Sequence, residues 1–129
     1  MTPDYEKQFA AFFDQMADAA RDVALAYFRK NLVVDEKDDR TPVTEADRGI
    51  EQKLRDVIRK TFPSHGIIGE EFGTENPEAE FVWVIDPIDG TKAFATGRPT
   101  FGTIIGLSHN GRPVAGLIDQ AYTRERWFG

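Results

Sequence analysis

The fold is decided by residues 83–92, whose sequence is Trp83-Val84-Ile85-Asp86-Pro87-Ile88-Asp89-Gly90-Thr91-Lys92. The apolar run from Phe81 to Ile85 predicts a buried strand. Two carboxylates follow where this strand ends, and Gly90-Thr91 predicts the entry to a short helix at residues 92–94. We expect the rest of the chain to be arranged around this strand and its turn.

The turn after the strand offers oxygen atoms as ligands. Asp86 and Asp89 are costly at the end of a buried strand unless a cation meets them. Pro87 stiffens the backbone between them and removes one donor. Two carboxylates and the Ile88 carbonyl form an oxygen-only set, which suits a hard cation such as magnesium.

The helix that starts after this turn offers backbone donors. Free amides of Gly90, Thr91 and Lys92 at a helix N-terminus suit a phosphate group. The turn therefore indicates a metal ion beside a phosphate. The alternative for an Asp-Pro or Asp-Gly step after a strand is an ordinary turn.

Composition limits the classes of function. The chain has 129 residues, enough for one domain with a modest core, and its net charge of −6 argues against a general nucleic-acid-binding surface. The absence of cysteine excludes disulfides and thiolate metal sites, and two histidines argue against a zinc site of the usual type. Without a signal pattern or a long apolar run, we expect a cytoplasmic protein that does not bind membranes.

Two helices are predicted before the first strand. Apolar residues at helical spacing predict one helix from about Asp4 to Leu32, with a buried stripe that begins at Phe9. Thr44 predicts the N-cap of a second helix, and Asp47 completes a capping box with it. A structural explanation therefore exists for Asp47 beside any catalytic one.

Strands are predicted on both sides of the central one. Residues 67–73 predict a short strand that delivers Glu70 and Glu71 at its end, although a Glu-Glu pair alone is typical of an exposed turn. Residues 101–107 and 113–118 predict a hairpin around Asn110-Gly111. The fold class is α+β, with two long helices packed on a mostly antiparallel sheet.

Acidic residues thus stand at the ends of several elements, namely Glu70, Asp86 and Asp89. Carboxylates gathered beside a phosphate-binding helix start suit two or three divalent ions around a phosphate ester. Because no cysteine and no Ser-His pairing is present, attack by a metal-activated water is the consistent chemistry.

These residues resemble the inositol monophosphatase family, which comprises magnesium-dependent, lithium-sensitive phosphomonoesterases. The resemblance is carried by Gly69-Glu70-Glu71, by residues 83–91, and by the upstream Lys37 and Thr41-Pro42-Val43-Thr44-Glu45-Ala46-Asp47. It covers essentially the whole chain and implies the N-terminal α+β domain of the sugar-phosphatase fold.

The resemblance implies a role for each site residue. Glu70 would ligate the first metal and orient the water, and Thr91 would accept the proton of that water. Asp86 would bridge two metals, the Ile88 carbonyl would complete the first site, and Asp89 would belong to the second.

The resemblance also implies roles around the phosphate. Gly90 and Thr91 amides would hold the phosphate, Asp47 would hydrogen-bond the Thr91 hydroxyl, and Lys37 would lie in a loop near a third ion. The cofactor would be two or three Mg²⁺ ions, or Mn²⁺ in their place.

Residues 96–103 and 116–121 resemble most closely the histidinol-phosphate phosphatase branch, with a place in histidine biosynthesis. Inositol-1-monophosphatase is the alternative. In either case the partners would be a small phosphorylated alcohol and further copies of the chain in a homo-oligomer, with no nucleic acid.

Family members are about twice as long, so the resemblance implies that residues 1–129 are the N-terminal domain, truncated before a C-terminal α/β domain that supplies another aspartate. Asp119 and Glu125 are poorly placed to replace that ligand. Two expectations follow: an exposed apolar surface that favours self-association, and a half-built site that binds one ion well. A catalytically incompetent fragment with a residual metal or phosphate site is therefore the competing hypothesis.

Overall fold

The computed structural model describes residues 4–29 and 42–129. Within these ranges the elements are α1 (Tyr5–Tyr27), α2 (Pro42–Thr61), β1 (Gly66–Gly69), β2 (Gly73–Glu75), β3 (Phe81–Asp89), α3 (Thr91–Ala95), β4 (Gly102–His109), β5 (Arg112–Gln120) and β6 (Glu125–Phe128). The strands form one sheet in the order β2-β1-β3-β4-β5-β6. Only β1 and β3 pair in parallel among the strands described, so the predicted α+β architecture is confirmed.

Helix α1 begins as the sequence predicts and ends earlier. The Asp4 side chain accepts a hydrogen bond from the Lys7 amide at 3.0 Å and caps the helix. Phe28 is extended (φ −66°, ψ 130°), and its ring packs on those of Phe94 and Phe101. Residues 30–32, the end of the predicted helix, lie outside the described ranges.

Helix α2 corrects the predicted capping box. It begins at Pro42, so Thr44 lies inside its first turn and is not the N-cap. Proline is favoured at the first helical position, where its missing N–H has no helical partner to lose. The spacing of Thr44 and Asp47 is therefore that of neighbours within a helix, and the capping-box explanation of Asp47 does not apply.

Both long helices pack on one face of the sheet, which we call the inner face. Its core is the Trp83 side chain, which is fully buried and meets the rings of Phe9, Phe12 and Phe13 at centroid distances of 5.8, 5.3 and 5.1 Å. The indole N–H donates to Nδ1 of His65 at 3.0 Å, so its polar atom is satisfied. This face holds β3 in place and fixes where its C-terminal end lies.

The opposite face of the sheet, the outer face, carries apolar side chains that are exposed. Ile68 pairs with Val84 across β1 and β3, and Ile118 pairs with Trp127 across β5 and β6. These four residues are 39% to 50% exposed. The predicted exposed apolar surface is thus present, whereas self-association through it stays a prediction.

The described helices also bear on the membrane prediction. None of the helices within residues 4–29 and 42–129 has the length and apolar character needed to cross a bilayer.

Candidate active site

The parallel pairing of β1 with β3 brings two of the predicted ligands together. In this register Gly69 lies opposite Ile85, so the next residues along the two strands are Glu70 and Asp86. Glu70 opens the tight turn between β1 and β2, where the sequence predicted the end of a single strand. Their charges interact, since Glu70 contributes to a raised pKa of Asp86.

A β-bulge places Asp86 and Asp89 on the same face of the sheet. Asp86 lies opposite Ile104 and Asp89 opposite Gly102, so three residue steps on β3 face two on β4. Without the extra residue, side chains three positions apart would point to opposite faces. The Thr103 hydroxyl donates to the Pro87 carbonyl at 2.8 Å within the bulge and fixes it.

The backbone turns sharply after Asp89. Gly90 has φ 85° and ψ 50°, a left-handed conformation that favours glycine, and a Cβ there would lie 3.2 Å from the Thr100 carbonyl oxygen. Helix α3 follows directly, and its first backbone hydrogen bond runs from the Phe94 amide to the Gly90 carbonyl at 3.0 Å. The amides of the first turn therefore have no helical acceptor.

Burial and neighbouring negative charges raise the pKa values of two acids at this edge, Asp86 and Asp47. Burial raises the pKa of Asp86 to about 6, and the charges of Glu70 and Asp89 add to the rise. Burial likewise raises the pKa of Asp47, which is 8% exposed, to about 7, with further contributions led by Glu71 and Asp86. A cation at this edge would remove this repulsion.

Few basic side chains meet these acids. Glu51 pairs with Arg55, and Glu71 lies 3.9 Å from Arg48. Within the described ranges no basic side chain lies at ion-pairing distance from Asp47, Glu70, Asp86 or Asp89. These carboxylates have no basic partner among the described residues, and two of them, Asp47 and Asp86, have raised pKa values, so they offer the kind of oxygen ligand that a divalent cation prefers.

The carboxylates are spread along the edge and do not surround one point. Among the residues described, no group of three or more acidic or histidine side chains is gathered tightly enough to hold a metal ion. This spacing is compatible with the predicted pairs, Glu70 with Asp86 and Asp86 with Asp89, each completed by other oxygens. The ligand set itself, including the Ile88 carbonyl, stays a prediction.

Two predictions, for Asp47 and for Lys37, are not tested by the described residues. Helix α2 packs near α3, but the described contacts of Asp47 include no hydrogen bond to the Thr91 hydroxyl, so that bond also stays a prediction. Lys37 lies outside the described residues. Thr91 and Asp89 are exposed, and the Ile88 side chain is buried.

Asp119 is occupied by two arginines. It is 1% exposed, and it accepts hydrogen bonds from Nη2 of Arg21 at 2.5 Å and from Nε of Arg126 at 2.8 Å. Arg126 also contacts Asp14 and Asp18 on α1. Asp119 therefore joins β5 and β6 to α1, which agrees with the expectation that it cannot replace a missing metal ligand.

Sequence reasoning did not identify Glu51 and Arg55 on α2. Both are buried, with exposed fractions of 0% and 2%, and they form an ion pair against the turn that follows β1. A Glu and an Arg four residues apart, directly after the core residues Ile50 and Leu54, are the signal that could have indicated a buried pair.

Comparisons with known proteins agree with this geometry. A model of the inositol monophosphatase family matches residues 5–129. The chain is 49% identical to the chloroplastic bifunctional phosphatase IMPL2 of Arabidopsis thaliana over 95% of its length and 36% of that protein. It is 37% identical to the histidinol-phosphatase of Mycobacterium tuberculosis, over 88% of the chain and 44% of that protein.

Solved structures show the same fold. An inositol monophosphatase from Zymomonas mobilis superposes with a TM-score of 0.84 and 44% identity, over 99% of this chain and 49% of that one. The fold is therefore the one that inositol monophosphatases share. The chain belongs to the inositol monophosphatase family, and it spans between about a third and a half of the length of these three relatives.

Proposed function

We propose that this chain carries the metal-binding and phosphate-binding edge of a magnesium-dependent phosphomonoesterase. The observation that carries the proposal is the placement of Glu70, Asp86 and Asp89 at one edge without basic partners among the described residues. Free amides at the start of α3 follow directly and suit the phosphate. The family membership supports the same reaction class.

Each residue has a role in hydrolysis under this proposal. Magnesium, when bound, supplies positive charge that offsets the charge of the phosphate oxygens and of the leaving alcohol. Glu70 orients the attacking water. The Thr91 hydroxyl accepts a proton from that water while it passes its own proton to the Asp47 carboxylate that holds it. The new bond joins the water oxygen to phosphorus, the bond from phosphorus to the alcohol oxygen breaks, and the departing oxygen takes up a proton from solvent.

The remaining predicted residues hold the ions and the phosphate. The charges of Glu70 and Asp89 both act on Asp86, so Asp86 would be the residue suited to bridging two ions. Ile88 contributes its carbonyl, and the amides of Gly90 and Thr91 bind the phosphate. Lys37 is proposed as a phosphate-binding residue in a loop that would approach a third ion. Mg²⁺ is the proposed metal, and Mn²⁺ has the same ligand preferences.

Histidinol phosphate is the proposed substrate. The named histidinol-phosphatases of Mycobacterium tuberculosis and Chlorobaculum parvum, 37% and 39% identical to this chain, support it. Inositol 1-phosphate is the second candidate, favoured by the 44% identity to the Zymomonas mobilis inositol monophosphatase.

The test is magnesium-dependent phosphate release from the two substrates side by side, by the wild-type chain and by Glu70→Gln. We expect release that requires Mg²⁺ and that Glu70→Gln abolishes, with histidinol phosphate hydrolysed faster. Equal release by both proteins would refute the role of Glu70. No release from either would support the competing hypothesis of an incompetent module with a partial site.

A further inference from the structure

Glu51 is a buried carboxylate that lies directly beneath the turn that carries Glu70. Its exposed fraction is 0%, and it is reached by two backbone donors of the turn. The Glu71 amide donates to Oε1 at 2.9 Å, and the Phe72 amide donates to Oε2 at 2.8 Å. Both oxygens of one side chain therefore hold the two residues that follow Glu70.

Arg55 extends this hold to the far end of the turn. Its Nε donates to Oε2 of Glu51 at 3.0 Å, and its Nη2 donates to the Gly73 carbonyl. The guanidinium carbon also lies 5.9 Å from the centre of the Phe72 ring. The backbone of each residue from Glu71 to Gly73 thus forms a hydrogen bond with the Glu51–Arg55 ion pair on α2.

Gly69 fixes the near end of the turn. A Cβ at this position would overlap the Glu51 carboxylate, so the carboxylate lies against the bare backbone immediately before Glu70. The overlap would not be relieved by a small movement, because the carboxylate already accepts bonds from two amides and from Arg55. The position accepts only glycine while Glu51 remains where it is.

We infer that Glu51, with Arg55, is a positioning residue that sets where the Glu70 carboxylate lies in the metal site. This inference rests on the proposed function, since it takes Glu70 to be a metal ligand. A buried ion pair contributes little to stability compared with apolar side chains of the same volume. Its hydrogen bonds to the Glu71 and Phe72 amides and to the Gly73 carbonyl instead fix the geometry of the turn, which is what a ligand-bearing turn requires.

Glu51→Gln tests the inference with little change of shape. The variant puts an NH₂ group where one carboxylate oxygen accepts a backbone N–H, and it leaves Arg55 without its counter-ion. Glu75→Gln is the matched control, because Glu75 pairs with Arg59 of the same helix at 2.6 Å but lies at the exposed end of β2. Thermal unfolding of each variant shows whether it is folded.

Two measurements are made on the metal-free and the Mn²⁺-titrated chain. We expect amide exchange at Glu71 and Phe72 to become at least about tenfold faster in Glu51→Gln, and Mn²⁺ affinity to fall by about 10-fold to 100-fold, as for other residues that support metal ligands. Glu75→Gln should match the wild type in both. Gly69→Ala keeps every charge and should have the same effects as Glu51→Gln. If Glu51→Gln does not fold, Gly69→Ala tests the positioning role in its place.

The outcomes separate the inference from the proposed function. Normal wild-type Mn²⁺ binding that is unchanged in Glu51→Gln and Gly69→Ala would overturn the positioning role and leave the proposed function standing. Unchanged amide exchange at Glu71 and Phe72 would overturn it equally. If the wild type binds Mn²⁺ no more tightly than Glu70→Gln, both the positioning role of Glu51 and the proposed function are overturned.

Discussion

Replacing Asp47 by asparagine should make the metal-free chain more stable at neutral and alkaline pH. Burial and neighbouring acids raise the pKa of Asp47 from 3.8 to about 7. Between about pH 4 and pH 7 the Asp47 carboxyl therefore keeps its proton in the folded state, whereas the same carboxyl is ionised in the unfolded state. The contribution of Asp47 to the free energy of unfolding is fully present below the pKa of the unfolded state, and it is lost as the pH rises through the folded-state value of about 7.

The size of the effect follows from the shift. A rise of about three pKa units corresponds to about 4 kcal/mol, at about 1.4 kcal/mol per unit. Water at the edge of the site screens part of this, so we expect about 2 kcal/mol. Asp47→Asn should exceed the wild type in free energy of unfolding by about this amount at pH 8, and the difference should shrink towards pH 4.

Urea unfolding followed by tryptophan fluorescence, at intervals between pH 4.5 and pH 8.5, measures this difference, since Trp83 is fully buried in the folded state. Asp56→Asn is the control, because the Asp56 side chain lies on the same helix and is 61% exposed. A wild type and an Asp47→Asn variant with parallel pH profiles would refute the reasoning. So would an Asp47→Asn variant that is less stable at pH 8.

Three further outcomes are expected. Mg²⁺ at about 100 times its dissociation constant should raise the free energy of unfolding by about 2.7 kcal/mol, and equal stabilisation of Glu70→Gln, seen in the same urea titrations, would contradict the site. Ile118→Ser combined with Trp127→Ser should reduce self-association in sedimentation velocity, and an unchanged oligomer would show that the outer face is not the contact. Gly90→Ala should lower the free energy of unfolding in urea by about 1–2 kcal/mol, because Gly90 has a left-handed backbone. The loss should exceed that of Gly111→Ala, whose Cβ would meet nothing within 4 Å. Equal losses of stability in the two variants would exclude an effect of the contact with Thr100.

Local patterns predicted most elements of the sheet, although residues 67–73 were predicted as one strand and contain a turn between β1 and β2. The Asn110-Gly111 hairpin is present, and both residues have positive φ, 50° and 83°, as a two-residue turn of this kind requires. The apolar run from Phe81 to Ile85 forms a strand as predicted, but the strand is buried on its inner face only, since Val84 is 42% exposed. These signals depend on residues that are neighbours in the chain, so the sequence contains them directly.

The features that were missed depend on contacts between distant residues. The bulge at Pro87 is stabilised by Thr103, and nothing in residues 83–92 alone indicates that Asp86 and Asp89 share a face. Glu51 reads as one more polar helix residue until the turn at 70–72 is placed above it. The start of α2 was wrong because Thr44 and Asp47 have capping-box spacing, although Pro42 already begins the helix.

The candidate site was predicted partly from the types of residue in the sequence and partly from the resemblance to a known family. The acids at strand ends suggested an oxygen-ligand metal, whereas the roles of Glu70, Thr91 and Asp47 came from the family. The register of β1 and β3 now gives the nearness of Glu70 and Asp86 a physical basis, which the sequence could not supply.

The most direct measurement is a Mn²⁺ titration followed by electron paramagnetic resonance, on the wild-type chain and on Asp86→Asn. Because Asp86 interacts with both Glu70 and Asp89, its loss should weaken binding by at least about tenfold. The wild type should bind one ion tightly and any second ion weakly. Asp86→Asn that binds with wild-type affinity would contradict the proposed metal edge, and a wild type with two tight sites would contradict the expectation of a half-built site.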